Sequence, residues 1–213
     1  MQVIGMLDSP FVRRVVVTFL KWGLPFEHRP ISLFRHIDAF SAINPLLKAP
    51  TVTTDDGVVL VDSSVILAAI AAVQPHLPSL WPTDSTKRIA AASLTGAALV
   101  VGEKAVQLYY EGALRPPEAQ FGPWRDRVAG QLDQGLRILE AAVPTRGWID
   151  GGALGQADID VACMVEFARA KFPERVGDIA FPRLLSFCAR AEALPEFLAA
   201  PPIDGVVAAV KPA

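Results

Sequence analysis

Strand signals in this chain crowd into its first 61 positions and nearly vanish from Ser85 onward. That split limits the fold to a small mixed unit followed by helices. Gln2 to Met6 is an apolar run, and Ser9-Pro10 then opens a helical stretch, Phe11 to Trp22. Phe26 to Ile31 is extended in character, and Asn44-Pro45 marks a loop. Thr51–Thr54 and Val58–Val61 flank Asp55-Asp56-Gly57, a hairpin turn. Asp62-Ser63-Ser64 is an N-cap ahead of the apolar run Val65 to Val73. A βαβ order followed by ββα predicts a small mixed sheet with helices on its faces.

The second part reads differently. Three prolines between Gln74 and Pro82 suit an ordered connector better than a helix. The pattern predicts long helices over Thr86–Tyr110 and Trp124–Val143, separated by a Pro- and Gly-rich loop from Leu114 to Pro123. Gly147 to Gly155 is a glycine-heavy turn. Ala157 to Lys171 is apolar on most sides, as a central helix would be. Phe181–Ala193 and Pro195–Ala200 supply two shorter helices. The expected boundaries are a first domain over 1–75, a linker over 76–84 and a helical domain over 85–213.

Composition removes several function classes. With 52% apolar and 20% charged residues the chain can bury a substantial core. Net charge is −2, and residues 1–75 carry six Lys/Arg against six Asp/Glu, so no basic stripe invites nucleic acid. Two cysteines and three scattered histidines, at 28, 36 and 76, make neither a disulfide framework nor a metal cluster. No basic segment with an apolar core opens the chain, and the uncharged run Ile89–Gly102 is too short to cross a bilayer. The expectation is a cytoplasmic protein with no membrane, nucleic-acid or metal partner.

An α/β unit, a proline-marked connector and an all-helical unit resemble the soluble glutathione transferase superfamily. Four matches in register carry the resemblance: Ser9-Pro10-Phe11-Val12-Arg13-Arg14, Asn44 through Val52 with Ala49-Pro50-Thr51 at its heart, Asp62-Ser63-Ser64-Val65-Ile66, and Gly155-Gln156-Ala157-Asp158-Ile159-Asp160. The resemblance implies a thioredoxin-like N-terminal domain (βαβαββα) and an all-α C-terminal domain. It also implies an enzyme that uses glutathione as cosubstrate against a hydrophobic electrophilic small molecule, or a glutathione-binding or non-catalytic adaptor of the same fold.

By itself, Ser9 is a helix cap. The resemblance implies more: a hydroxyl at this junction donating to glutathione sulfur and favouring its thiolate, helped by the positive helix end. Tyr and Cys are both absent from residues 1–100, which points to the serine type. The proline matching Pro50 is cis in that family and leaves the backbone of the preceding residue, here Ala49, free to pair with an extended peptide. Asp62 and Ser63 match the pair that receives the γ-glutamyl end, with Ser63 and helix N–H groups on the carboxylate. Arg35 and Lys48 are candidates for the glycyl carboxylate, and either can equally be a solvated charge. Phe11, Tyr109, Tyr110 and Trp124 are candidate walls of an electrophile pocket implied between the two units, although aromatics at helical spacing also build cores. Arg13 is open to a boundary ion pair or to a solvated face. Gly155 to Asp158 resembles the capping box of the central helix with its Ser/Thr half missing, and Cys163 fits core packing. A homodimer is implied by resemblance alone.

Overall fold

The structure is a computed structural model and describes residues 1–203, 205 and 207. It divides into two compact units, one of residues 1–79 with 193–213 and one of residues 80–192.

The first unit follows the expected βαβαββα order: β1 (Gln2–Ile4), α1 (Pro10–Trp22), β2 (Glu27–Arg29), α2 (Ile37–Ser41), β3 (Thr51–Thr53), β4 (Val59–Val61) and α3 (Ser63–Val73). The sheet order is β2-β1-β3-β4. β1 runs parallel to β2, with Val3 opposite His28, and antiparallel to β3, with Val3 opposite Val52. The β3–β4 hairpin closes through the Asp55-Asp56-Gly57 turn, with Gly57 at φ 85°. α1 packs on β1 and α3, burying Val12, Val15, Val16 and Phe19 with Val3, Val52 and Ile66. Ser9 caps α1 and Pro10 occupies its first turn.

The described residues from Ala193 onward belong with this first unit, whereas the sequence pattern assigned them to the helical domain. The physical reason is a buried charge. Arg13 is 1% exposed, so it is not part of a solvated face. Its Nε donates to the Ala200 carbonyl at 2.7 Å, and its guanidinium lies 5.4 Å from the centre of the Phe197 ring. Phe197 sits on α8 (Pro195–Leu198), which packs on α1. Lys21 and Glu196 add an ion pair at 3.0 Å.

The second unit is helical: α4 (Ser85–Leu114), α5 (Gly122–Ala142), α6 (Gln156–Lys171) and α7 (Pro182–Glu192), with one 3-10 turn at Pro117–Ala119. α4 is long and apolar enough to cross a membrane. A third of that apolar window is buried, Ala91, Ala98, Val101 and Ala105 among it, where the helix packs on α5 and α6. α6 is central, as its pattern predicts, with every residue from Gln156 to Val165 buried. Cys163 is enclosed there, and burial pushes the Cys188 thiol well up from its usual range.

The missing half of the α6 capping box has a steric cause. Gln156 donates its backbone N–H to the Leu80 carbonyl at 2.8 Å. A Cβ at position 155 would stand 2.9 Å from that oxygen, so the connector and the cap approach too closely for a side chain. Asp158 supplies the other half, its Oδ2 accepting from Gly155 N–H at 2.8 Å. Gly155→Ser should therefore destabilise the protein by about 1–2 kcal/mol in urea unfolding, although serine is the better cap by type. A stabilised variant would contradict this.

Candidate functional site

Gly5 is where the site begins, because three segments meet around it. It ends β1 at φ 138°, and a Cβ there would lie 2.6 Å from Val12 Cγ2 and 3.2 Å from Ala49 Cβ. The first turn of α1 and the loop before β3 therefore converge on a glycine that only lacks a side chain because there is no room for one. His28 braces it from behind. Its Nε2–H donates to the Gly5 carbonyl at 2.8 Å while Nδ1 accepts from Val207 N–H at 3.1 Å. Burial lowers the pKa of His28, in keeping with this neutral, doubly bonded ring.

Ser9 stands half-buried at the N-terminus of α1. Its Oγ accepts from Val12 N–H at a long 3.4 Å. The hydroxyl proton is thus left for another acceptor at the positive end of the helix. Phe11, two residues on, is also half-buried.

The Ala49–Pro50 bond is cis. Among the described residues, no hydrogen bond engages the N–H or C=O of Ala49, the edge an added strand needs. The loop ahead of it is held by Asn44, which is 2% exposed. Its Nδ2 donates to Thr51 Oγ1 at 2.8 Å, its Oδ1 accepts from Leu46 N–H at 3.0 Å, and Thr51 Oγ1 donates to the Lys48 carbonyl at 2.6 Å. Lys48 itself is exposed. Arg35 is exposed too, with Nη2 3.9 Å from Met6 Sδ, on the loop that leads into Ser9.

Asp62 and Leu47 are the only non-glycine residues with positive φ among those described, at 69° and 49°. One stands two residues before Ala49-Pro50 and the other directly before Ser63, and such backbone outliers gather at binding sites. The Asp62 carboxylate caps its own helix, Oδ1 accepting from Ser64 N–H at 2.9 Å and Val65 N–H at 3.4 Å. Ser63 is 4% exposed and accepts from Arg14 Nη1 at 2.8 Å. α1 thus presents Ser9 at its end, meets Ala49 through Gly5 and Val12, and reaches Ser63 through Arg14.

Two of these residues escape a reading of the sequence: Asn44, which there marks only a loop, and Arg14. The available signal for Arg14 is an arginine pair before Val15-Val16-Val17 in a helix with little polar surface, since a charge buried there must be bonded. The aromatic candidates of the helical unit are surface residues, with Tyr109 and Tyr110 each 37% and Trp124 45% exposed, so the core alternative does not hold for them. Lys171 Nζ lies 4.7 Å from the centre of the Tyr109 ring.

A small mixed sheet with an unbonded backbone edge beside a cis proline, followed by an all-helical unit, is a thioredoxin-like domain with a helical C-terminal domain. Models of the glutathione S-transferase N-terminal and C-terminal domains match residues 3–78 and 122–190. Maleylacetoacetate isomerase of Pseudomonas aeruginosa is 27% identical over 202 residues, spanning 90% of this chain and 91% of that protein. Glutathione S-transferase U6 of Arabidopsis thaliana is 25% identical, over 83% of this chain and 75% of its own length. A glutathione S-transferase of Methylobacterium radiotolerans, solved with glutathione sulfonate, superposes at TM-score 0.86 with 25% identity, covering 93% of each chain. One from Methylobacillus flagellatus with GSH bound reaches TM-score 0.85 at 25% identity, over 95% of this chain and 99% of that one. The chain belongs to the glutathione S-transferase superfamily.

Proposed function

We propose that this protein is a serine-type glutathione transferase that holds glutathione as a thiolate and adds it to an electrophilic, hydrophobic small molecule. The observation that carries the reading is the convergence on α1 of three groups suited to the three parts of that peptide. The Ser9 hydroxyl takes the sulfur, the Ala49 backbone edge pairs with the cysteinyl residue, and Ser63 receives the γ-glutamyl carboxylate. Pro50 shapes that edge. Asp62 holds the N-terminus of α3 in place and sets its charge near the γ-glutamyl ammonium. Arg35, beside Met6, and Lys48, beside Ala49, are the cations within the same unit for the glycyl carboxylate. Phe11 lies on the first turn beyond Ser9, where an apolar electrophile would meet it.

The chemistry needs no covalent step on the protein. Ser9 donates to the sulfur, the thiol proton leaves to water, and the thiolate forms the new bond to the electrophilic carbon as an aryl halide loses its halide ion to solvent, or as an activated double bond opens and takes a proton from water. The P. aeruginosa relative is named as an isomerase, so maleylacetoacetate belongs beside a generic aryl halide as an assay substrate. The working unit in this reading is a cytoplasmic homodimer. Retention on immobilised glutathione followed by conjugation of the aryl halide tests the proposal. Retention with turnover is expected; retention without turnover of either substrate would make the protein a binding adaptor, and no retention would overturn the reading.

A further inference from the structure

Arg14 is the buried charge that the transferase chemistry leaves unexplained. It is 2% exposed, and its Nη1 donates both to Ser63 Oγ at 2.8 Å and to Ser64 Oγ at 3.0 Å. Ser63 is buried and Ser64 is exposed, and they are the first two residues of α3. A serine oxygen that accepts from a guanidinium keeps its own proton for a different acceptor. That proton is also the stronger donor, because the cation polarises the O–H bond. One terminal nitrogen of the guanidinium, Nη1, reaches both adjacent hydroxyls from a neighbouring helix, one N–H to each. Asp62, with its carboxylate turned onto the N–H groups of Ser64 and Val65, closes the same helix end to rotation.

We infer that Arg14 is a positioning residue for the γ-glutamyl α-carboxylate of glutathione: it fixes Ser63 as acceptor toward the protein and donor toward the ligand. The inference rests on the glutathione reading above. It makes the pocket selective for a peptide that carries a carboxylate at that end, through a residue that never touches it.

The test pairs two ligands with two variants, using calorimetric affinities on the full chain. The ligands are glutathione and γ-aminobutyryl-cysteinyl-glycine, which lacks only the α-carboxylate. Arg14→Met should weaken glutathione about tenfold while shifting the analogue by less than about twofold. Arg14→Lys keeps the charge and an N–H donor but shortens its reach, and should give a smaller loss with the same selectivity; it also serves if Arg14→Met does not fold. Equal losses for both ligands in either variant would make Arg14 a packing residue and overturn the inference. Wild-type protein that binds the two ligands equally would overturn it while leaving the transferase reading intact. Wild-type protein that binds neither would overturn both.

Discussion

Ser9→Ala should move the rising limb of the pH–rate profile upward by about two units while leaving glutathione affinity within about threefold. The free thiol titrates near ~8.5, and a hydroxyl donor at a helix N-terminus that favours the thiolate by roughly 2.7 kcal/mol lowers this to about 6.5. Near pH 7 the ionised fraction would then fall from about three-quarters to about three per cent in the variant, a loss of roughly 25-fold. The rate should fall less. A thiolate of higher pKa is the better nucleophile, with a Brønsted slope of about 0.4–0.5, which over two units returns roughly six- to tenfold. The expected loss at neutral pH is therefore about 2.5- to fourfold, and the variant should overtake the wild type above about pH 8. Ser9→Thr, which keeps a hydroxyl, should retain most of the wild-type profile. A loss equal at every pH would assign Ser9 to the helix cap alone.

The second large effect lies in the helical unit and concerns stability. Asp158 is 1% exposed, and its two oxygens accept from Ile149 N–H at 2.9 Å and Gly155 N–H at 2.8 Å. Asp158→Ala strands both buried donors, at about 1–3 kcal/mol each. The size of the loss should depend on pH, with a sign set by burial. Desolvation first, then the neighbouring charges of Asp150 and Asp160, push its pKa up to about 6 against the two backbone bonds that lower it. The folded state thus holds the proton more tightly than the unfolded chain. That contribution is fully present below the ordinary carboxyl range near ~4 and is lost as pH rises through about 6, a change of up to roughly 3 kcal/mol. Urea unfolding should show a variant deficit of about 3 kcal/mol near pH 4.5, narrowing by about 2 kcal/mol toward pH 7.5. A deficit that widens toward neutral pH would mean that the two N–H bonds outweigh the cost of burying the charge.

Local chemistry made much of this fold readable. Ser9-Pro10 opens α1, Asp55-Asp56-Gly57 turns the hairpin and Asp62 caps α3, each through contacts within a few residues. Apolar residues on most sides of α6 mark it as central. What pattern could not supply is long-range. One partner of Arg13 is a backbone carbonyl 187 positions away, and carbonyls carry no sequence signature, so the return of Pro195–Ala200 to the first unit stayed hidden. Arg14 and Asn44 matter because of where burial leaves them, and an isolated arginine or asparagine does not announce its burial. Gly155 looks like a defective cap until the Leu80 carbonyl is seen against it.

A crystal structure of the protein soaked with glutathione tests most directly whether the tripeptide lies along Ala49 with its sulfur at Ser9. The cysteinyl N–H and C=O should pair with the backbone of Ala49, and the sulfur should lie within about 3.5 Å of Ser9 Oγ. A tripeptide bound elsewhere, or one on Ala49 with its sulfur turned away from Ser9, would contradict that placement.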